Sequence, residues 1–493
     1  MPPYAPLCRT LAATFLLALA VPAPSGASER PPSIVLITSD DHRWDALGAA
    51  GNPAVRTPVL DALAREGVHF GQATVSVSQC LPVRATLLTG LAAHTHGAYS
   101  HHHQAPAAAQ PGAFSELPTV PALLRDAGYA TVLVGKWHLS SDPWRVGFSD
   151  VRTWLPTGGE VFRDPRLSRG ESREREVVPG FTQEIFADSA IDFLGSKAAK
   201  ARPFLLWLAF TAPHAPFAPN PERIEALYRD TPDAELPPPG FPAGIQGGDW
   251  RSYYQAVSHL DEQVGRVLAA LRAAGLDRST VVVFLGDNGF MMGERGIGAT
   301  GAAGKVVPYE SSIRVPVIVR APGVQVFSGT SELLASALDL PPTLVELAGL
   351  EPPAAWPGRS LLPALRSREA PGFDDAFSEW ADEESERFGH LAHRLLRTRD
   401  HKLIVWRDPE RTNELYALRE DPREERNLAA HPDHAALEAD LHHRLRTWLE
   451  KTADPARHWP KLGVPTAPPP AMRPTDPAPR PAPEPEPPRT PSV

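Results

Sequence analysis

The chain has 493 residues, 42% of them apolar, and a formal charge of −9. It is long enough for more than one domain and apolar enough for a large core. The acidic balance, with no long basic block, excludes nucleic acid as an expected partner. Residues 1–27 read as a secretory signal: Arg9 gives the positive end, 11–21 the apolar core and Ser25-Gly26-Ala27 the cleavage site. That apolar run is too short for a stable membrane span. The expectation is an exported protein, periplasmic or secreted.

Short apolar strand-like runs then alternate with helical patterns. Residues 33–38, 130–134, 204–210, 280–285 and 316–320 read as strands. Residues 59–67, 120–128, 182–194, 252–275 and 337–348 read as helices. This predicts an α/β catalytic domain over 31–372, built on a large, mostly parallel or mixed sheet flanked by helices. After the turn-rich stretch 367–372, strand-like runs at 394–398, 402–406 and 414–417 precede a helix at 437–450. They predict a smaller C-terminal α+β subdomain over 373–462 with an antiparallel sheet. Proline dominates 463–493, which reads as an extended, disordered tail.

Four predicted strands end in polar groups. The first runs into Asp40 and Asp41, the second into Lys136 and His138, the third into His214, and the fourth into Asp287 and Asn288. Ligands of open α/β sheets bind beyond the carboxyl ends of the strands, so one crevice is expected to collect these groups. Two carboxylates about 4 Å apart repel by roughly 4 kcal/mol at an effective dielectric of about 20. Asp40, Asp41 and Asp287 together therefore need a cation, and Asn288 adds an amide oxygen. A hard-oxygen set of this kind favours Ca²⁺, with Mg²⁺ second, over Zn²⁺. Singly these motifs are weak, since an Asp-Asp pair is commonly solvated and Asn-Gly is commonly a turn. Lys136 and His138 are two apart and project the same way from an extended segment. His214 lies between two prolines, which restrict its loop. Lys305 follows a glycine-bearing run that lacks phosphate-loop spacing.

Cys80 is the most informative residue. The other cysteine, Cys8, lies in the leader, so the processed chain has no internal disulfide. Cys80 opens a predicted helix with Pro82 in its first turn and Arg84 close behind. Free N–H groups at a helix start attract anions and lower a thiol's pKa. A lone cysteine is ordinarily a small core residue. Cys-x-Pro-x-Arg followed by Leu87-Leu88-Thr89-Gly90 argues against that here.

This segment resembles the signature of the type I, formylglycine-dependent sulfatases of the alkaline phosphatase superfamily. The resemblance extends over 33–428 and includes Gly135-Lys136-Trp137-His138-Leu139, residues 309–316, Gly358-Arg359-Ser360-Leu361 and Glu414-Leu415-Tyr416. It implies that Cys80 is converted to formylglycine by a generating enzyme before folding. It further implies that Asp40, Asp41, Asp287 and Asn288 hold Ca²⁺, with an oxygen of the modified Cys80. Arg84 and Lys305 would steady the aldehyde and the sulfate. Lys136 and His138 would contact the same groups, and His214 the leaving-group side. One hydroxyl of the hydrated aldehyde, with Asp287 as candidate base, would displace the alcohol, aided by His214 and Lys305. The second, deprotonated with help from His138, would expel sulfate. Val83 departs from the pattern, standing where serine or another small residue is common.

The expected substrate is a sulfate monoester, on a small molecule or, in view of export, a glycan. The rivals are a phosphonate or phosphate ester hydrolase on the same scaffold, and a non-catalytic glycan-binding relative with an intact thiol. His94, His96 and the run 101–103 are candidates for the pocket mouth or a solvated loop. Arg163, Arg166, Arg169, Arg173 and Arg175 lie in a charged insertion that either grips an acidic sugar or is laced by salt bridges.

Overall fold

A computed structural model of the chain describes residues 30–462, apart from 102, 103, 106, 111, 243, 244, 246, 247, 299–303, 371 and 383–388. The expected leader and proline-rich tail lie outside the described residues. The described residues from Pro31 onward belong to one compact unit.

Ser33–Ser39 (β1) is buried along its whole length. Its side chains alternate between two cores: Ile34 and Leu36 enter one, Val35 and Ile37 the other. A near-continuous apolar run is what a strand covered on both faces requires. In chain order follow Val68–Thr74 (β2), Ala130–Lys136 (β3), Asp150–Leu155 (β4), Arg166–Arg169 (β5), Glu176–Val177 (β6), Phe204–Ala209 (β7), Thr280–Gly286 (β8), Val317–Arg320 (β9) and Gly329–Ser336 (β10). They form one mixed sheet in the order β10-β2-β9-β8-β1-β7-β3-β4-β5-β6. The run β8-β1-β7-β3 is parallel throughout. These are the four strands whose ends carry the polar groups, so their carboxyl ends share one edge of the sheet.

Helices cover both faces. Trp250–Ala273 begins where Asp249 accepts a hydrogen bond from the Ser252 N–H. Its buried Leu260, Val264, Val267 and Leu271 recur at helical spacing and pack against the sheet. The predicted helix over 337–348 divides into a 3-10 turn, Ala337–Asp339, and a helix, Leu340–Leu347. Pro341 and Pro342 lack backbone donors and sit where a first turn needs none.

Ala376–Trp380 (β11), His393–Arg397 (β12), His401–Trp406 (β13) and Glu414–Ala417 (β14) form a separate antiparallel sheet in sequence order. The helix Ala435–Lys451 covers it, with Leu441, Leu445 and Leu449 against Leu396, Leu403 and Leu415. Phe377 and Trp448 stack with ring centroids 4.2 Å apart. No described helix is long and apolar enough to cross a membrane.

Candidate active site

β1 ends at Ser39, and Asp41 adopts a left-handed backbone with φ of 60°. Adjacent strand residues ordinarily point to opposite faces. The turn at Asp41 instead brings Asp40 and Asp41 together, with carboxylate oxygens within 4.8 Å of each other and of a His214 ring nitrogen. The Asp41 carbonyl accepts from the Tyr253 hydroxyl at 2.8 Å, and its N–H donates to Asp287 Oδ1 at 3.2 Å. Asp287 and Asn288 follow directly on β8.

Cys80 is the first residue of the helix Cys80–Thr89, every residue of which is buried. Gly90 closes that helix with φ of 69°. Val83 is buried within the larger core. Arg84, one turn on, donates from Nε at 3.0 Å and from a terminal nitrogen at 2.7 Å to Asp287 Oδ2. Its other terminal nitrogen donates to the Lys136 carbonyl at 2.8 Å. Arg84 thus braces Asp287 and the end of β3.

Cations line the crevice. Lys136 pairs with Asp40. Lys305 donates to Asp41 Oδ1 at 2.8 Å and lies 3.6 Å from Cys80 Sγ. His101 Nε2 lies 3.4 Å from the same sulfur, and the His101 and His138 rings are 4.4 Å apart. His214 Nε2 lies 3.8 Å from Asp41 Oδ2. His214 Nδ1 lies 2.6 Å from the Ala215 carbonyl, which only accepts, so the proton sits on Nδ1 and Nε2 faces the crevice. All ten residues singled out from the sequence therefore meet around Cys80. Gly301, Ala302 and Ala303, which precede Lys305, lie outside the described residues.

Burial opposes ionisation of the Cys80 thiol, but Lys136, Lys305 and His101 outweigh it and hold its pKa well below the ordinary value. Burial likewise opposes the charge on Asp40, and Lys136 overcomes it, so that carboxyl titrates below its ordinary value. Asp287 is pushed well above, by burial and then by the charge on Asp40, against the pull of Arg84. Two neighbouring carboxylates cannot both ionise cheaply. Burial, followed by Lys136, lowers His138 to about 3, so its imidazole is neutral in the ordinary pH range.

Asp40 Oδ1 and Asn288 Oδ1 are buried without a hydrogen-bond partner. Asn288 spends its Nδ2 on Asp41 Oδ1 at 2.6 Å and on the Gly289 carbonyl at 2.8 Å, which turns its oxygen away from both. Orphaned oxygens beside three carboxylates fit a hard divalent cation such as Ca²⁺ or Mg²⁺.

The sulfatase family pattern matches residues 32–350, and the pattern of the N-sulphoglucosamine sulphohydrolase C-terminal region matches 298–451. This chain belongs to the sulfatase family. It is a sulfuric ester hydrolase with the family's fold. Among relatives, the mouse (Mus musculus) N-acetylgalactosamine-6-sulfatase is 30% identical over 73% of this chain and 69% of its own length. An ulvan-active sulfatase of Formosa agariphila is 27% identical over 86% of this chain and 82% of its own. A solved structure complexed with its substrate, D-glucosamine-2-N,6-O-disulfate, is 25% identical with a TM-score of 0.71, covering 86% of this chain and 99% of that one.

Two further residues, His101 and Gly158, lie against the Cys80 and His138 side chains. His101 belongs to the histidine run with pocket-mouth and solvated-loop readings; it reaches the sulfur, while 102 and 103 lie outside the described residues. Gly158 packs so closely that a Cβ there would lie 2.4 Å from His138 Nε2. Neither carries a local signal, because each meets Cys80 or His138 only through the fold. His94 and His96 lie elsewhere: His94 pairs with Glu379 at 2.8 Å, and His96 is within hydrogen-bonding distance of Thr86 Oγ1 at 3.2 Å.

Proposed function

We propose that this sulfatase cleaves a sulfate monoester on a carbohydrate, using a formylglycine made from Cys80 and a Ca²⁺ ion held by Asp40, Asp41, Asp287, Asn288 and the modified residue 80. Inorganic sulfate is the product. The observation that carries the reading is a buried thiol at a helix start, facing Lys136, Lys305 and His101. Three relatives with sulfated-carbohydrate names or ligands support the substrate class. Full burial of Cys80 supports conversion by a generating enzyme before the chain folds. Export through a leader over 1–27 belongs to the same reading, and sequencing the mature N-terminus tests it.

When present, the hydrated aldehyde would supply two hydroxyls on one carbon, and a cation held by Asp40, Asp41, Asp287 and Asn288 would supply Lewis-acid positive charge. Lys136 and Lys305 add fixed positive charge where the transferred group becomes more negative. With a cation bound Asp287 would be ionised, and Arg84 holds it in register beside residue 80, where it would accept a proton. His214, with Nε2 facing the crevice, donates a proton to the departing oxygen when it is protonated. Neutral His138, whose Nδ1 has no partner, accepts the proton whose removal lets sulfate leave.

The test uses protein from its native host. Sulfate release is measured on sulfated oligosaccharides and aryl sulfates, alongside aryl phosphates and phosphonates, and the Cys80 peptide is weighed. The expected result is an aldehyde at residue 80 and sulfate turnover ahead of phosphate. An intact thiol in every molecule, or faster turnover of phosphorus esters, overturns it.

A further inference from the structure

Of the five arginines in the charged insertion, four are engaged by close partners. Arg166 donates to the Arg175 carbonyl at 3.0 Å, and Arg169 pairs with Glu176 at 3.2 Å. Arg173 pairs with Asp142 at 2.7 Å, and Arg175 with Glu160 at 3.1 Å. Arg163 differs. Its side chain is 65% exposed, and its ion pair among the described residues is a 3.9 Å approach to the exposed Asp164. The guanidinium lies over the Phe181 ring, 5.7 Å from its centroid.

Arg163 and Phe181 form one wall of an open cleft of about 550 Å³, and Pro219, Asn220 and Arg223 lie across it. Both walls run back to His214. A Cβ on Gly159 would lie 3.5 Å from the His214 ring, and exposure alternates along the segment: Gly159, Val161 and Arg163 face out while Phe162 is buried. Four residues at about 3.5 Å each place Arg163 within about 14 Å of Gly159. The opposite wall begins at Pro219, five positions beyond His214.

The other charges at this cleft are engaged. Arg223 is held by Glu262 and Glu184, at 2.6 Å and 2.5 Å. Glu222 pairs with Arg229, and Glu225 accepts from the Asn220 N–H at 3.2 Å. Asn220, only 4% exposed, keeps Oδ1 without a partner. The cleft thus offers a forked cation on an aromatic face and a buried acceptor.

Building on the carbohydrate sulfatase reading, we propose that Arg163 binds an oxyanion, a carboxylate or a second sulfate, on the sugar next to the one that is desulfated. A guanidinium fork matches either group bidentately. Asn220 Oδ1 accepts from a hydroxyl of the same sugar.

The test compares wild type with Arg163→Gln on sulfated disaccharides whose second sugar carries a uronate, a sulfate or neither, and on p-nitrophenyl sulfate. In the variant, KM is expected to rise about 10- to 100-fold on acidic disaccharides, the size of a hydrogen bond to a charged group. It should stay within about twofold on the neutral disaccharide and the aryl ester, with kcat preserved. Which acidic disaccharide shows the rise identifies the oxyanion. Equal changes on acidic and neutral disaccharides, or no change on either, overturn the assignment while leaving the sulfatase reading intact. Wild-type turnover of the aryl ester alone overturns the carbohydrate reading and this inference with it.

Discussion

The crevice at the strand ends and the seam beneath the C-terminal sheet both bury carboxylates beside cations, but they are completed differently. At the seam, Glu310 accepts from Arg397 at 3.0 and 2.9 Å and from Lys402 at 3.2 Å. Nearby, Arg394 grips Asp454 at 2.6 and 2.9 Å, and His94 bridges Glu379 and Asp454 at 2.8 and 3.2 Å. Both oxygens of Glu310, Glu379 and Asp454 have partners. In the crevice, Asp40 Oδ1, Asn288 Oδ1 and His138 Nδ1 have none. A completed network joins two sheets; an incomplete one keeps donors and acceptors for a ligand.

Paired substitutions sharpen that contrast most. Arg397→Ala leaves Glu310 buried with one partner fewer and is expected to cost about 3–5 kcal/mol in urea unfolding. The folded fraction should retain its kcat. Asn288→Ala removes an orphaned oxygen and the two hydrogen bonds of Nδ2, and should cost about 2 kcal/mol. Its sulfate release should fall roughly 100-fold or more, the scale for losing one electrostatic stabiliser. Equal stability losses for the two variants would erase the distinction.

Chelation comes next. Removing divalent ions should abolish turnover and lower the melting temperature. Returning Ca²⁺ at about 100 times its Kd should restore about 2.7 kcal/mol. Asn288→Ala should weaken that thermal shift, whereas Arg397→Ala should keep it. A chelated enzyme at full rate would break the cation reading.

The seam also predicts a pH window. Burial opposes the charge on Glu379, but His94 outweighs it and the carboxyl falls to about 2. Burial likewise opposes the charge on His94, yet Glu379 raises its pKa above the ordinary 6.5. The Glu379 contribution is complete above its ordinary 4.5 and is lost as pH falls towards 2. The His94 contribution is complete below 6.5 and is lost as pH rises through its folded value. The pair therefore stabilises most between pH 4.5 and 6.5. Glu379→Gln should flatten both limbs in melting curves taken across pH.

The smallest expected effect is steric. Gly158→Ala forces His138 to shift, since the new Cβ would lie 2.4 Å from Nε2. A kcat loss of about 10-fold with little change in stability is expected, by analogy with a disturbed supporting contact. An unchanged kcat would show that the orientation of His138 is unimportant.

Much of the central sheet is legible because β1, β7 and β8 are continuous apolar runs flanked by turn residues. β2 and β10 are less so. Val68–Thr74 carries His69, Gly71 and Gln72, and its pairing with Gly329–Ser336 spans most of the domain. No local pattern reports a partner that distant. β4, β5, β6 and β11 are likewise hard to read, being short or half-polar.

Residue order alone dictated the alternation of strands and helices, the acids and histidines at strand ends, and the Cys80 helix start with its arginine one turn later. These are short-range features, set by side-chain period and backbone preference. Folding settled the rest: that β8, β1, β7 and β3 lie side by side in parallel, that His101 reaches the sulfur, and that of the five insertion arginines it is Arg163 that lines the cleft. Those outcomes depend on contacts between segments tens to hundreds of residues apart, where burial and charge pairing decide which groups are consumed and which are left to act.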